Sequence, residues 1–245
     1  MNKPLAIITG AGSGIGRATS IKFHENGYQV ACLDLNLETA KETVEMISNE
    51  GKAYHVDVIS HEEIKKISEV ILKEFSNPDV LVNCAGISPS PMPVHLFEID
   101  EWNRVININL NGSFYMMKYF IPSLLKNTNS SIVNISSVLG VVANPTTAGY
   151  AASKHGIVGL TKAAALDYAK QGLRVNCVGP GVIETNMNKD ILKDIRIKEM
   201  LTNQTPLGRV AAPSEVANLI YFLCSDKATF ITGSFFAVDG GYTAV

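Results

Sequence analysis

Short apolar runs rich in Val, Ile and Leu alternate along this chain with longer stretches in which apolar residues recur at helical spacing. Such an alternation is typical of βα units that build a parallel sheet. We therefore expect an α/β fold. The pattern predicts seven strands, at Leu5–Thr9, Gln29–Asp34, Ala53–Asp57, Val80–Asn83, Ser131–Ser136, Arg174–Val178 and Phe235–Val238.

One long stretch between the sixth strand and the last helix carries neither pattern, from Thr185 to Arg209. A loop of that length is usually functional or disordered, and we interpret it as a substrate-binding lid over residues 185–209. No internal repeat or low-complexity linker divides the 245 residues. An α/β chain of this length commonly forms one domain, so we expect a single domain over residues 1–245.

The composition argues against nucleic-acid, membrane and metal partners. The net charge of -2 comes from 21 basic and 23 acidic residues, with no Lys/Arg cluster to neutralise phosphates or anionic lipid. We expect no signal peptide or membrane span, because no window approaches about 18 apolar residues. The cysteines stand apart, without a C-x-x-C pair or His-rich neighbourhood, which favours a reducing cytoplasm over a disulfide framework or zinc site. They are Cys32, Cys84, Cys177 and Cys224.

A glycine-rich segment, T-G-A-G-S-G-I-G from Thr9 to Gly16, follows the first predicted strand and opens a helix. Glycines let the backbone turn sharply and approach a pyrophosphate, whose charge is then met by free N–H groups and the helix dipole. Taken alone, such a segment also fits a flexible loop. Its position between a strand and a helix favours a phosphate-binding turn.

An acidic residue, Asp34, ends the second predicted strand about 20 residues beyond this turn. A carboxylate there can accept hydrogen bonds from both ribose hydroxyls of an adenosine, and it would repel a 2′-phosphate. The alternative is a strand-end cap. Because Ser13, and not Arg or Lys, stands inside the glycine turn, NAD is favoured over NADP.

Tyr150 and Lys154 lie four residues apart on a predicted helix, so their side chains share one face. Ser137 precedes them at the C-terminal end of the fifth predicted strand. The ligand crevice of an open α/β sheet lies at that end of the strands. A lone Y-x-x-x-K is usually a solvated helix face, but together with Ser137 it is a candidate catalytic group.

From Leu5 to Tyr242 the chain resembles the short-chain dehydrogenase/reductase family. The resemblance implies a Rossmann-type, doubly wound parallel sheet of seven strands with helices on both faces, in one NAD(P)-binding catalytic domain. It also implies a homotetramer with the last helix and strand in subunit contacts. Besides the glycine turn and the Ser, Tyr and Lys residues, the matching motifs are Asp57-Val58, Asn83-Cys84-Ala85-Gly86, Asn109, Pro180-Gly181 with Thr185, and Asp239-Gly240-Gly241.

The same resemblance implies which residues bind NAD beside Asp34, Tyr150 and Lys154. The turn would contribute Gly10, Gly12, Ser13, Gly14, Ile15 and Gly16. The adenine ring would lie on Asp57 and Val58, the rest of the adenosine on Asn83, Ala85 and Gly86, and the nicotinamide end on Pro180, Gly181, Ile183 and Thr185. Asn83 and Asn109 equally fit structural amides that bond the backbone across strands and helices.

These residues predict an NAD-dependent oxidoreductase that interconverts a secondary alcohol and a ketone. Tyr150 is the expected general acid/base. A free phenol has a pKa of about 10, so it needs positive charge nearby, and Lys154 is a source of that charge. Ser137 is expected to hydrogen-bond the substrate oxygen and Asn109 to hold a water in a proton relay. By resemblance, Lys154 also binds the nicotinamide ribose.

The substrate stays open at this level. Mostly apolar walls favour an uncharged alcohol or ketone, although the same side chains equally fit the packing of a lid. One alternative is a 3-oxoacyl-thioester reductase, which generally uses NADPH and basic residues in the turn; another is a non-catalytic nucleotide-binding scaffold, which we expect to lack a catalytic residue. The wall residues are expected to be Pro89, Met92, Leu139, Val141, Met187 and Ile191.

Overall fold

The computed structural model describes residues 3–244, except for the side chain of Ile191, and its centre is a seven-stranded sheet. Every pairing is parallel, and the strand order is β3-β2-β1-β4-β5-β6-β7, which confirms the predicted Rossmann-type fold. The strands are β1 (Leu5–Thr9), β2 (Gln29–Asp34), β3 (Gly51–His55), β4 (Val80–Asn83), β5 (Ser131–Ile135), β6 (Arg174–Pro180) and β7 (Phe235–Val238).

Helices connect the strands and cover both faces of the sheet. Between α4 and α5 the chain makes a π turn at Asn107–Asn111. The helices are α1 (Gly14–Glu25), α2 (Leu37–Met46), α3 (His61–Glu74), α4 (Ile99–Ile106), α5 (Gly112–Leu124), α6 (Ala148–Tyr168), α7 (Ile195–Asn203) and α8 (Pro213–Cys224).

The core has two apolar layers because successive side chains of a strand point to opposite faces. On β1, Leu5 and Ile7 pack with α3, α5 and α6, whereas Ala6 and Ile8 pack with α1, α2 and α8. Both faces of the central strands are therefore buried, which explains their continuous apolar sequences. Among the residues described, no helix is both long and apolar enough to cross a membrane.

The strand order reverses between β1 and β4, and this is the switch point at which parallel α/β sheets bind ligands. The glycine turn follows β1, Asp34 ends β2, and Ser137 follows β5, so all three lie at the carboxyl edge of the sheet. The fold thus places the predicted site residues along one crevice.

The predicted lid segment is more regular than its sequence pattern indicated. It contains the 3₁₀ turn Ile191–Lys193 and helix α7. The side chain of Asp194 begins α7 by accepting a hydrogen bond from the main-chain nitrogen of Arg196 at 2.9 Å. None of the side chains of α7 is buried. The expectation of a wholly irregular stretch is therefore corrected, whereas movement of residues 185–209 as a lid stays a prediction.

Candidate active site

A cavity of about 340 Å³ opens at the carboxyl edge of the sheet. Of the residues predicted to form the site, all line this cavity except Gly12, Asn83 and Asn109. Those that do are Gly10, Ser13, Gly14, Ile15, Gly16, Asp34, Asp57, Val58, Ala85, Gly86, Ser137, Tyr150, Lys154, Pro180, Gly181, Ile183 and Thr185.

The glycine turn forms one wall, and at Gly14 and Gly16 a side chain would be strained or would collide with its neighbours. Gly14 has a φ of +50°, and a Cβ there would lie 3.1 Å from the methyl group of Thr185. A Cβ on Gly16 would lie 2.1 Å from the main-chain oxygen of Gly10, so this glycine lets α1 pack directly on the end of β1. The backbone of the turn therefore reaches the cavity surface, as a phosphate-binding turn requires.

Asp34 lies at the same wall, with each carboxylate oxygen anchored by one main-chain donor. Oδ2 accepts from the nitrogen of Gly12 at 2.8 Å, and Oδ1 accepts from the nitrogen of Asn36 at 2.9 Å. A carboxylate oxygen can accept more than one hydrogen bond, so both remain able to accept from hydroxyl groups of a ligand. Gly12 thus contributes by fixing Asp34 and not by lining the cavity.

Ser137, Tyr150 and Lys154 meet at the other end of the cavity. Ser137 follows β5, and its Oγ accepts a 3.1 Å hydrogen bond from the main-chain nitrogen of Leu139. Lys154 is 4% exposed, and its Nζ donates to the main-chain oxygen of Ile135 at 2.9 Å. The same ammonium lies 5.6 Å from the centre of the Tyr150 ring. Tyr150 and Lys154, one turn apart on α6, thus face one site.

Burial changes the acid–base properties of this group. It lowers the pKa of Lys154 to about 8, with interaction with Cys84 opposing the shift. Burial also raises the pKa of Tyr150, and a hydrogen bond with Ser137 opposes that rise. The tyrosine of the free protein is therefore protonated at neutral pH, and it needs added positive charge nearby before it can lose that proton and act as a base.

Asn109 is almost fully buried in the π turn, and its side chain joins three parts of the site. Its Oδ1 accepts from the main-chain nitrogen of Ile87 at 2.8 Å, and its Nδ2 donates to the oxygen of Ile87 and to Ser153 Oγ. Ser153 in turn donates to the main-chain oxygen of Tyr150 at 2.7 Å. Both hydrogens of the Asn109 amide are thus bonded within the protein. A relay water at this residue would therefore have to donate a hydrogen bond to one of the oxygens of Asn109.

Asn83 acts as a structural amide, which was one of the two alternatives that the sequence left open. It is 3% exposed, and its amide donates to Asn134 Oδ1 at 2.8 Å, while Asn134 donates to Thr161 Oγ1 at 2.9 Å. This chain of buried amides connects β4 with β5 and α6. Asn83 does not line the cavity, and its Oδ1 has no hydrogen-bond partner among the described residues, so its predicted contact with adenosine stays a prediction.

The predicted substrate walls are only partly assembled in this cavity. Met187 lines it, whereas Leu139 packs in a small cluster with Tyr150 and Tyr242. Val141 is 44% exposed, and the side chain of Ile191 lies outside the described residues.

Several lining residues were missed by the sequence patterns. For Leu35 the sequence did carry a signal, because a leucine directly after the polar strand end Asp34 can offer an apolar face to a ligand. In the structure Leu35 is 63% exposed. Ile135 had no such signal, because it acts through its main-chain oxygen. The lining residues that were missed are Leu33, Leu35, Val56, Cys84, Ile87, Ile108, Ile135, Ser136 and Asn188.

A family model described as "Enoyl-(Acyl carrier protein) reductase" matches residues 10–243, nearly the whole chain and every element of this site. The chain belongs to the short-chain dehydrogenase/reductase family. The predicted resemblance is therefore confirmed, and with it a nucleotide cofactor of the NAD(P) type and oxidoreductase chemistry.

Relatives that share this fold act on different substrates. The chain is 40% identical over 246 residues to a cyclohexanol dehydrogenase of Acinetobacter sp. (strain SE19), covering 99% of this chain and 96% of the relative. It is 39% identical over 240 residues to a 3-oxoacyl-[acyl-carrier-protein] reductase of Thermotoga maritima, covering 97% and 96%. A solved structure described as ElxO with NADP bound superposes with a TM-score of 0.93 at 34% identity, covering 99% of this chain and 100% of that one.

Proposed function

We propose that this protein is an NAD-dependent oxidoreductase that interconverts a secondary alcohol and a ketone. The observation that carries the proposal is the convergence of Ser137, Tyr150 and Lys154 at one end of a cavity whose other end is Asp34 and the glycine turn. Proton-transfer groups and a dinucleotide cradle thus share one crevice, as hydride transfer to or from a carbonyl carbon requires.

The residues of the cavity fit a dinucleotide along its whole length. The glycine turn presents backbone where a Cβ would collide, Leu35 and Val58 offer apolar surface for an adenine, and Thr185 faces Gly14. When bound, the nicotinamide supplies or accepts the hydride. Glycine at position 86 avoids crowding Asn109, because a Cβ there would lie 3.2 Å from Asn109 Oδ1, while it would lie at an ordinary contact distance of 3.4 Å from the ammonium of Lys154.

Tyr150 provides the proton path. In reduction its hydroxyl donates a proton to the ketone oxygen, and in oxidation the deprotonated form accepts a proton from the alcohol. Ser137 donates a hydrogen bond to the same oxygen and stabilises the charge that develops on it. Lys154 uses one N–H for the oxygen of Ile135 and keeps two for ribose hydroxyls. Its positive charge also favours the phenolate of Tyr150.

Three features support NAD as the cofactor. Asp34 is anchored with acceptor capacity facing the cavity, Ser13 supplies no positive charge, and the cation nearest the turn, Arg17, is already bonded to Gly12, Thr39, Thr43 and Glu42. A 2′-phosphate would therefore meet a carboxylate and no free cation of the turn. The NADP complex of the relative belongs to that protein, and cofactor choice in this chain is decided by titration of both nucleotides.

The test is turnover of NADH and NADPH, followed by absorbance, across cyclic ketones, open-chain ketones, oxidised polyols and acetoacetyl thioesters. We expect NADH to be consumed with an uncharged ketone and the activity to require Tyr150. The similarity to a 3-oxoacyl-[acyl-carrier-protein] reductase makes that activity the second candidate. Faster turnover of acetoacetyl thioester with NADPH would select the second candidate, and cofactor binding without turnover of any substrate would favour a non-catalytic scaffold.

A further inference from the structure

Arg17, in the first turn of α1, bonds to the glycine turn and to α2. It was not among the predicted site residues. Its Nη2 donates to the main-chain oxygens of Gly12 at 2.5 Å and Thr39 at 3.2 Å. Its Nε donates to Thr43 Oγ1 at 3.0 Å, and it pairs with Glu42 at 2.8 Å. The side chain is only 24% exposed, so it is fixed between α1 and α2.

This position is unusual for a cation. The first turn of a helix carries the positive end of its dipole and disfavours Lys or Arg. The guanidinium is kept there by acceptors from two segments that are distant in sequence, the glycine turn and α2. A solvated surface arginine would have none of these main-chain partners, so the contacts indicate a specific role at the turn.

The bonds to the turn decide which way two successive peptides face. Thr43 Oγ1 donates to the oxygen of Ala11 at 2.8 Å, and the nitrogen of Gly12, in the same peptide, donates to Asp34. Arg17 holds the oxygen of Gly12. Because the C=O and N–H of a trans peptide point in opposite directions, this bond turns the N–H of Ser13 away from α2 and toward the cavity that Ser13 lines.

The packing leaves this peptide little freedom to turn over. A Cβ on Gly12 would lie 2.2 Å from Thr39 Oγ1 and 2.9 Å from Asp34 Oδ2, so α2 lies directly against the turn. Arg17 bridges the same two segments through the main-chain oxygens of Gly12 and Thr39. The orientation of the Gly12–Ser13 peptide therefore depends on the guanidinium and on α2 together.

We propose that Arg17 is a positioning residue for the cofactor, which orients the Gly12–Ser13 peptide so that its N–H donates to the adenosine half of the bound dinucleotide. The proposal rests on the nucleotide-binding part of the proposed function. It assigns Arg17 no contact with the cofactor and no part in hydride or proton transfer.

The test compares Arg17→Met and Arg17→Lys with the wild type, using calorimetric titration of NADH and of ADP-ribose, a probe that lacks the nicotinamide. The matched control is Arg104→Met, because Arg104 is an exposed arginine of α4 whose one ion-pair partner within residues 3–244 is Glu101. We expect Arg17→Met to weaken both ligands by the same factor, about ten- to a hundredfold, the range for loss of hydrogen bonds from a charged group. The fold-change in Kd should exceed the fold-change in kcat at saturating NADH, and Arg17→Lys should lose less affinity than Arg17→Met.

Unchanged ADP-ribose affinity in a folded Arg17→Met protein would overturn the proposal, as would a loss of kcat with unchanged Kd. If Arg17→Met does not fold, Arg17→Lys decides the question, because an ammonium cannot reproduce the fork that spans Gly12, Thr39 and Thr43; wild-type affinity in that variant would overturn the proposal. A wild-type protein that binds neither NADH nor ADP-ribose would instead contradict the proposed function itself.

Discussion

The ammonium of Lys154 donates a 2.9 Å hydrogen bond to the main-chain oxygen of Ile135, the last residue of β5. A buried cation is costly unless it is hydrogen-bonded, and this bond fixes the lysine at the edge of the sheet. Lys154 is thus held by the backbone of the strand that precedes Ser137, so the position of both side chains depends on where β5 ends.

Lys154→Met should lower both turnover and cofactor affinity. The substitution keeps most of the apolar stem but removes the charge that favours the Tyr150 phenolate and the hydrogens available to ribose hydroxyls. We expect NADH affinity to fall about ten- to a hundredfold. We also expect the alkaline limb of the pH–rate profile for ketone reduction to move to higher pH. Lys162→Met, on an exposed position of the same helix, is the control and should match the wild type in both measurements.

The same lysine predicts how stability depends on pH. Burial lowers the pKa of Lys154 to about 8 from 10.5, so between these values the unfolded chain binds more protons than the folded chain. The free energy of unfolding contributed by this group therefore rises with pH across that window, by on the order of 3 kcal/mol, and the burial penalty is fully present below pH 8. Urea unfolding of the wild type and Lys154→Met at pH 7 to 10 measures it; a constant difference between the two proteins would contradict the shift.

Tyr150→Phe should abolish most turnover while leaving NADH affinity within about threefold of the wild type. The ring and its packing against Val138 and Leu139 are kept, and only the hydroxyl that exchanges the proton is removed. General acid/base groups contribute about 10² to 10⁴-fold to rate, and we expect a loss near the upper end. Steady-state rates and NADH titration check it. Retention of more than about a tenth of the activity would remove Tyr150 from the mechanism.

Asp34→Ala should reduce the preference of the protein for NAD over NADP. In the wild type we expect NAD to bind at least about a hundredfold more tightly than NADP, since the carboxylate accepts from the ribose and repels a 2′-phosphate. The variant should bind NAD more weakly and NADP more tightly. Glu38→Gln, an exposed acid in the first turn of α2, is the control. Equal affinities in the wild type, or an NADP preference that survives in Asp34→Ala, would show that Asp34 does not face the ribose.

The segment 185–209 should exchange its amide hydrogens quickly in the free protein and slowly in the complex. Helix α7 buries none of its side chains, whereas α8 buries Val216 and Ile220 among others, so α7 lacks the packing that resists local opening. Hydrogen exchange with and without NADH and a ketone measures this. Strong protection of α7 in the free protein, equal to that of α8, would show that the segment is not a lid.

Sequence patterns predicted most of the sheet because the central strands are buried on both faces. β1, β2, β4 and β7 have the predicted bounds, whereas β3 begins two residues earlier than expected, at Gly51. β3 is an edge strand, and Lys52 and His55 are exposed on it, so its apolar signal is weak. Helix α7 was missed although Asp194 is a typical N-cap, because its apolar residues face no core.

Site residues that act through their side chains were predicted from the sequence, whereas those that act through the main chain were missed. Asp34, Tyr150 and Lys154 are legible as residue types at a spacing. The acceptor role of Ile135 belongs to a main-chain oxygen, and the contacts of Arg17 join α1 to α2, which no local pattern reveals. Asn109 shows the opposite case: its position was identified, but the use of its amide depended on Ile87, which lies 22 residues away.

The π turn at Asn107–Asn111 makes chain length itself a determinant of this site. A π turn holds one more residue than an α-helical turn, so loss of a single residue there would restore a continuous helix and rotate α4 against α5 by about 100°. Either α4 would then lose its packing on α6, or Asn109 would leave Ile87 and Ser153. A substitution in this stretch keeps the spacing between α4 and α5, whereas a one-residue deletion does not, so homologous chains should keep the length of this stretch even where residues other than Asn109 differ.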